Sequence, residues 1–595
     1  MKGLSLIICL LCTTVMFSQI EDRNLDIADD YFNRGEFEKA LISYQKLYAG
    51  KNDYTIFNKM IKTLQQLERY DEAQQIILNR LSTSKFPPLL VELGYNYQLQ
   101  DSLEVASNYY NEAISNIETN PVYTVSIARQ FEEHSLLEQA VTVYKRGMEL
   151  MPDSNFNIQL ARIYGEQGDI EGMFSSYINY VGAKPTYLNS AKRAFSDFVS
   201  ENKDNENNII LRRILLKKLQ SDPDIYWYDL LSWLFVQEKE YDKSFTQEKA
   251  LYKRQPESLD RIIGLAIAAL NEKEYETANA IFDYVLENSQ DIQTQLLAHQ
   301  YLLDIKTINA TTDQLPEISN AYQNLFKQYG TFEQTLALQL AYGNFMAFHL
   351  HQPEEASSFL KESLKLNLSP FQQATVKLQL GDILVFQEKF NEALIYYSQI
   401  QANLKNSTIS QEARFKVAKT SYYKGDFDWA ESQLKILKSS TSQLIANDAL
   451  DLKLLISDNK YEDSLHVALK LYAKADLLAF QNKTNEAIAL LETILTEHKG
   501  ESIIDQTLLK QAQLFEKQKT FDKAVANYQS IIANYRDGIL ADDAYYFLAE
   551  LYNNVLGEPE QAKPLYEKII FDHQDSIYFV EARKKFRMLR GDAIN

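Results

Sequence analysis

The sequence predicts an all-α fold, a solenoid of antiparallel helix pairs. Three observations predict it. Of 595 residues only 18 are Gly and 12 are Pro, about half the usual share, so long helices are favoured over sandwiches, barrels and doubly wound sheets, which need a turn every few residues. Hydrophobic residues reach 45%, with 38 Tyr and 30 Phe. That excludes a disordered chain, and the length exceeds what one core serves, which points either to several domains or to a repeating architecture without a single centre. Finally, one pattern recurs along the chain: a Gly or polar residue, an aromatic or aliphatic one two places on, then Ala, then an aromatic four residues later.

The chain opens MKGLSLIICLLCTTVMFSQ, with Lys2 before an apolar run from Leu4 to Cys12. This predicts a secretory leader over residues 1–18, cut after Ser18, because the run is shorter than the roughly 20 residues of a bilayer span. Cys9 and Cys12 are the two cysteines and both lie in the leader, so the mature chain is expected to hold no disulfide, thiolate metal site or catalytic thiol. Ile8 and Leu11 stand before them where lipid attachment needs a small residue, so no lipid anchor is expected. The net charge of −20 repels phosphate backbones, and no basic stripe in the body counters it, so no nucleic-acid partner is expected. No later apolar stretch exceeds the nine residues Ile262–Leu270, so no transmembrane anchor is expected in the mature chain.

Residues 19–198 carry the pattern as GEFEKALISY, ERYDEAQQII, DSLEVASNYY, SLLEQAVTVY and GDIEGMFSSY. Its anchors are Ala40, Ala73, Ala106, Ala140 and Met173, spaced 33 or 34 residues apart. Twelve residues before each stands Ala28, Ile61, Gly94, Ala128 or Ala161. Each unit is therefore two amphipathic helices whose small residues let the backbones approach while aromatics fill the grooves alongside. Pro152, Pro185 and Pro256 close units where the second helix ends. Residues 199–225 read as irregular, VSENKDNENN being the most linker-like segment. Residues 226–350 hold central repeats anchored at Ser244 and Ala278. Residues 351–595 hold longer repeats, anchored at Ala356, Ala393, Ala430, Ala487, Ala524 and Ala562, and a capping helix. The steps from Met173 to Ser244 and from Ala278 to Ala356 each fit two units, one degenerate. The step from Ala430 to Ala487 fits a repeat with an added helix.

These residues resemble tetratricopeptide repeat (TPR) proteins, best in Val125–Pro152 and Leu160–Pro185, although the family's first-helix Trp is mostly missing. The longer C-terminal units are similar to the subclass of bacterial envelope proteins that includes outer-membrane-assembly lipoproteins and the periplasmic coordinator of the Tol-Pal system. The resemblance implies a right-handed superhelix whose concave face, lined by first helices, holds an extended peptide or a partner helix. Carried over by phase, its lining is Lys62, Gln65, Tyr95, Gln98, Arg129, Glu132 and Arg162. The Lys and Asn clamp by which chaperone-binding members grip a C-terminal carboxylate is absent, since Leu25 with Asp29, Asn58 with Lys62 and Val91 with Tyr95 stand at those positions.

No chemistry-bearing constellation competes with this reading. No Gly-x-Gly phosphate loop, Walker sequence or Gly-x-Ser-x-Gly elbow occurs. The histidines, His134, His299, His349, His351, His466, His498 and His573, are scattered and read as surface or helix-end residues. Glu132-Glu133, Glu354-Glu355 and Asp542-Asp543 read as helix starts or turns, and Trp227, Trp233 and Trp429 as core. Neither enzyme activity nor a cofactor nor a metal is expected. Arg583, Lys584, Lys585, Arg587 and Arg590 concentrate positive charge in an acidic chain. They read as a capping helix or as a docking patch for an acidic partner or anionic headgroups. The expected function is a non-catalytic scaffold in the periplasm or at the outer membrane, binding other envelope proteins. The alternative is a carbohydrate-binding or starch-utilisation-type surface protein.

Overall fold

A computed structural model describes residues 24–51, 53–437, 442–460 and 465–592; the leader expected over residues 1–18 lies outside the described residues. These residues form helices joined by short turns, with no strand among them. They divide into two compact units, residues 1–255 and 256–595. In each, consecutive helices pack as pairs and each pair packs on the next, giving an all-α helical repeat solenoid.

The crossing within each pair is where the sequence pattern acts. Ala40, Ala73, Ala140, Ala278, Ala356, Ala393, Ala430, Ala487, Ala524 and Ala562 are completely buried, as are Ala28, Ile61, Ala128 and Ala161 opposite the first anchors. At Gly94 a methyl group would lie 2.5 Å from the Tyr110 ring, so a side chain there would push the two helices apart. Ala140→Leu is expected to overpack such a crossing and to destabilise the N-terminal unit by about 1–3 kcal/mol. Chemical denaturation with the wild-type midpoint would show that Ala140 is not a crossing residue.

The turn between the helices of a pair needs one residue in the left-handed region. Gly35, Gly168 and Gly425 supply it at φ 74°, 74° and 82°. Elsewhere Glu68, Asp101, Ser135, Lys239, Lys273, Glu388, Asn482 and Lys519 take the same conformation at φ between 56° and 65°, where a side chain costs about 1 kcal/mol or more. Turns are thus as frequent as the repeat requires, and the chain builds most of them without Gly.

Several expectations are corrected. Within 199–225, expected to be irregular, Glu206–Ser221 is a helix that buries Leu211 and Leu215. Asn205 caps it by accepting from the amides of Asn207 and Asn208. The Asn208 carboxamide ties back to Ser200, donating to its carbonyl at 2.8 Å and accepting from its amide at 3.1 Å. The asparagines that look like a linker are cap and staple. Trp227 is buried and Trp233 packs beside the same core, but Trp429 is 51% exposed, because Phe427, Ala430 and Leu434 face inward on its helix. Glu354-Glu355 and Asp542-Asp543 occupy first turns, whereas Glu132-Glu133 end Thr124–Glu133, where the dipole is unfavourable and other partners must hold them. Most histidines do sit at helix ends, His134, His349, His498 and His573 at C-caps and His466 at an N-cap; His299 is the mid-helix exception.

In the C-terminal unit the 57-residue step contains the added helix Gln443–Asn459. Val467–Phe480 then resumes the row of first helices by packing on Thr408–Lys424. Its Phe480 ring lies 6.0 Å from Phe348 and 6.1 Å from Phe386. Gln481 donates to the Phe386 carbonyl at 2.9 Å, and Lys474 pairs with Glu388 at 2.9 Å.

Candidate functional site

The face presented by the first helices is organised by a ladder of polar contacts. In the N-terminal unit the Tyr44 hydroxyl donates to Asp29 Oδ1 at 2.6 Å, and Lys59 from the next first helix sits 2.5 Å from Asp29 Oδ2. Tyr144 likewise donates to Glu132 at 2.7 Å, and Arg162 pairs with that carboxylate. In the C-terminal unit Tyr397 donates to Asp382 at 2.6 Å with Lys416 at 2.8 Å. Tyr566 donates to Glu550 at 2.6 Å with Lys585 at 2.5 Å. Lys510 pairs with Asp476 at 2.5 Å. In four of these five rungs a Tyr of the repeat's second helix orients a carboxylate on its first, and in all five the following repeat supplies the cation. Exposed ion pairs contribute little; the carboxylates here are partly buried, and the four bonded by Tyr gain charge-assisted hydrogen bonds of better geometry.

Between successive first helices of the N-terminal unit lies a second network. Glu92 is buried in the apolar run of Pro88–Gln98. Its carboxylate accepts from Gln65 Nε2 at 2.9 Å and Gln130 Nε2 at 2.7 Å, and lies 2.8 Å from His134 Nε2. Tyr95 stacks on the His134 ring at 3.8 Å.

Of the lining residues expected from the sequence, Lys62 and Arg129 are exposed, Lys62 lying 5.7 Å from the Phe32 ring. Gln65 and Tyr95 join the Glu92 network, Gln98 accepts from Tyr110 at 2.9 Å, and Glu132 with Arg162 forms a rung. Of the residues that hold these together, Glu92 and Gln130 were not singled out by the sequence and His134 was read only as a surface or helix-end histidine; a carboxylate inside PLLVELGY is the signal that marks Glu92. At the C-terminus Lys585 belongs to Glu550 and both Arg587 and Arg590 pair with Asp592. Arg583 and Lys584 are exposed and make no ion pair with any described residue.

The first-helix face differs between Asp260 and Phe386. There Asp260–Asn271, Ile292–Asn309, Leu336–Phe348 and Pro370–Phe386 line two cavities of about 380 and 590 Å³. The cavities share Gln293, Gln334 and Ala337 and therefore form one trough. Leu297, Gln300, Leu340 and Phe371 also line it, and its charged lining residues, Asp260 and Glu333, are acidic. The side-chain amides of Gln293, Gln300 and Gln334 have no hydrogen-bond partner among the described residues.

One turn beyond Gln300 stands Asp304, half-buried and without a hydrogen bond or ion pair to any described residue. Burial pushes its carboxyl up to about 6. In the unfolded chain an Asp titrates near 4, so folding carries no penalty below that pH and loses stability as pH rises through about 6. Asp304→Asn is therefore expected to stabilise the C-terminal unit by about 1–3 kcal/mol at pH 8 and to leave it unchanged at pH 4. Thermal melts across that range check it, and a pH-independent difference would show that the carboxylate is not desolvated.

A comparison with known families bears on the helix pair Ile504–Lys517 and Phe521–Asn534. Residues 506–538 match the tetratricopeptide repeat. The TPR match thus falls on one pair, with Ala512 and Ala524 buried at its crossing, and Ala28 with Ala40, Ala128 with Ala140, Ala418 with Ala430 and Ala475 with Ala487 are buried in the same arrangement. No curated protein matches the chain. Among solved structures, Naa15/Naa10 bound to HypK-THB is 12% identical over 96% of this chain and 94% of that chain, with a TM-score of 0.28. The APC/C hetero-tetramer Cut9-Hcn1 is 12% identical over 96% of each chain, with a TM-score of 0.25. A tetratricopeptide repeat protein from Parabacteroides merdae is 15% identical over 49% of this chain and 96% of that one, with a TM-score of 0.24.

Proposed function

We propose that the chain is a non-catalytic scaffold of the bacterial envelope, exported to the periplasm and peripheral to the outer membrane, that binds partner proteins on its first-helix face. The observation that carries the reading is the open trough between Asp260 and Phe386, large enough for an extended segment and lined by unpartnered amides. Repeat arrays offer long, shallow surfaces of this kind for protein partners. The leader over residues 1–18 and the envelope-type spacing of the C-terminal repeats support the location.

Two measurements test this. Expression of the full sequence in a Gram-negative host is expected to yield a chain beginning at Gln19 in the osmotic-shock fraction; an uncleaved cytoplasmic chain would overturn the location. A photo-crosslinking residue at position 340, in the trough, is expected to capture discrete proteins that the same residue at position 395, exposed on a second helix, does not. Equal capture from both positions would overturn the scaffold face.

A further inference from the structure

We propose that the trough takes an extended segment of a partner protein that sets a lysine or arginine side chain against Asp304. This rests on the scaffold reading above and names what the scaffold would bind.

The argument is one of phase. In three rungs of the ladder the carboxylate directly follows the small residue of its helix crossing: Asp29 after Ala28, Asp382 after Gly381, Asp476 after Ala475. The cation stands two residues before the crossing residue of the next first helix: Lys59 before Ile61, Lys416 before Ala418, Lys510 before Ala512. Asp304 follows the buried Leu303 in that phase. It is also faced by the Tyr of its own second helix, since Tyr322 stands four residues after the buried Ile318 and feels the Asp304 charge. The next crossing residue is Gly343, whose added methyl group would lie 2.9 Å from Leu360. Two places before it stands Ala341, and Leu336–Phe348 contains no Lys or Arg at all. The carboxylate stands in the phase of a rung, without the Tyr hydrogen bond that Asp29 and Asp382 accept, and the cation half is missing.

Asp304 stands one helical turn beyond the lining residue Gln300, and Ala341 directly follows the lining residue Leu340. On Ile292–Asn309, residues 293, 297, 300, 304 and 308 share one face; the first three line the cavities and Ile308 is exposed. A partner cation entering here replaces Lys59, Lys416 or Lys510 in kind. The other charges of the trough, Asp260 and Glu333, are also acidic, so an anionic segment is repelled and a cationic one drawn in. The remainder of the lining sets the rest of the segment. Amides with spare donors and acceptors suit a peptide backbone, while Leu297 and Phe371 suit apolar side chains. First helices packed about 8–10 Å apart meet an extended strand about every third residue. A single basic residue among uncharged, partly apolar neighbours is therefore the chemistry that fits.

The test is selection of random 12-residue peptides on the full mature chain, followed by fluorescence-anisotropy titration. Selected peptides are expected to share one Lys or Arg among uncharged residues. Replacing it with Gln is expected to weaken binding at least tenfold. Asp304→Asn should weaken it as much, and combining the two changes should add little. Ala341→Lys, which gives Asp304 a cation within the chain, is expected to weaken binding similarly while raising the melting temperature at pH 8. Peptides that bind with a dispensable cation, or that bind both variants like wild type, would overturn the trough assignment and leave the scaffold reading standing. A library with no binders would overturn the scaffold reading itself.

Discussion

Replacing Glu92 with Ala is expected to destabilise the N-terminal unit by about 3–5 kcal/mol, the cost of leaving buried polar groups without their charged partner. Glu92 joins three consecutive first helices, because Gln65 comes from Tyr54–Gln66, Gln130 from Thr124–Glu133, and His134 caps the latter. Truncation leaves three polar groups facing one another across an emptied site, and each unmet buried group costs its desolvation. Tyr54, which donates to Gln130 Oε1 at 3.3 Å, and Tyr95, stacked on His134, then lose their orientation too. Because each repeat of a solenoid contacts only its neighbours, the damage should stay local. Hydrogen exchange is expected to accelerate in residues 54–66, 88–98 and 124–133 and to remain at wild-type rates beyond residue 255. Glu92→Gln preserves shape and one acceptor and should lose less. If both variants unfold at the wild-type denaturant concentration, the network is not what spaces these helices.

The repeat was legible because its cause is local and steric. A helix pair closed by a short turn needs small residues a fixed distance apart, so Ala40, Ala73, Ala106 and Ala140 recur in phase whatever surrounds them. Gly35 and Gly168, which open two copies of the pattern, were legible for the same reason, but equivalent turns at Glu68, Asp101 and Ser135 were not, since the pair's packing imposes the left-handed conformation on whatever residue stands there. The helix at 206–221 was hidden because asparagine serves equally as linker and as cap, and only the Asn208–Ser200 contact decides between them. The lining was read less well than the fold. Phase places Gln65 and Tyr95 on the first-helix face, but one helical position separates a side chain turned to the groove from one turned to the next first helix. The ladder lay beyond a residue-by-residue reading, because its partners are 30 to 35 residues apart and only their joint phase identifies them. That joint phase is nonetheless written in the sequence, and Ala341 is where it fails.

Gly381→Val is expected to have the other large effect, about 3–5 kcal/mol on the C-terminal unit. A side chain at Gly381 meets the ring of Tyr397, with the added carbon 2.6 Å from Cζ, and Tyr397 is completely buried and tied through its hydroxyl to Asp382. The ring has no room to retreat, because it packs from the helix anchored at Ala393 onto the crossing. Overpacking alone costs about 1–3 kcal/mol. Displacing the ring also takes the hydroxyl from Asp382 and loosens the carboxylate that Lys416 grips, a charged hydrogen bond worth about 1.5–3 kcal/mol. Helix propensity works the other way, since Val is better than Gly inside a helix by a few tenths of a kcal/mol. A destabilised variant is therefore evidence for the close approach and not for a generic helix effect. The decisive measurement is a double-mutant cycle with Tyr397→Ala. Removing the ring makes room for the introduced valine side chain, so the two changes together should cost clearly less than their sum. Strict additivity would mean that Gly381 and Tyr397 do not share the crossing, and that the rung on Asp382 stands without it.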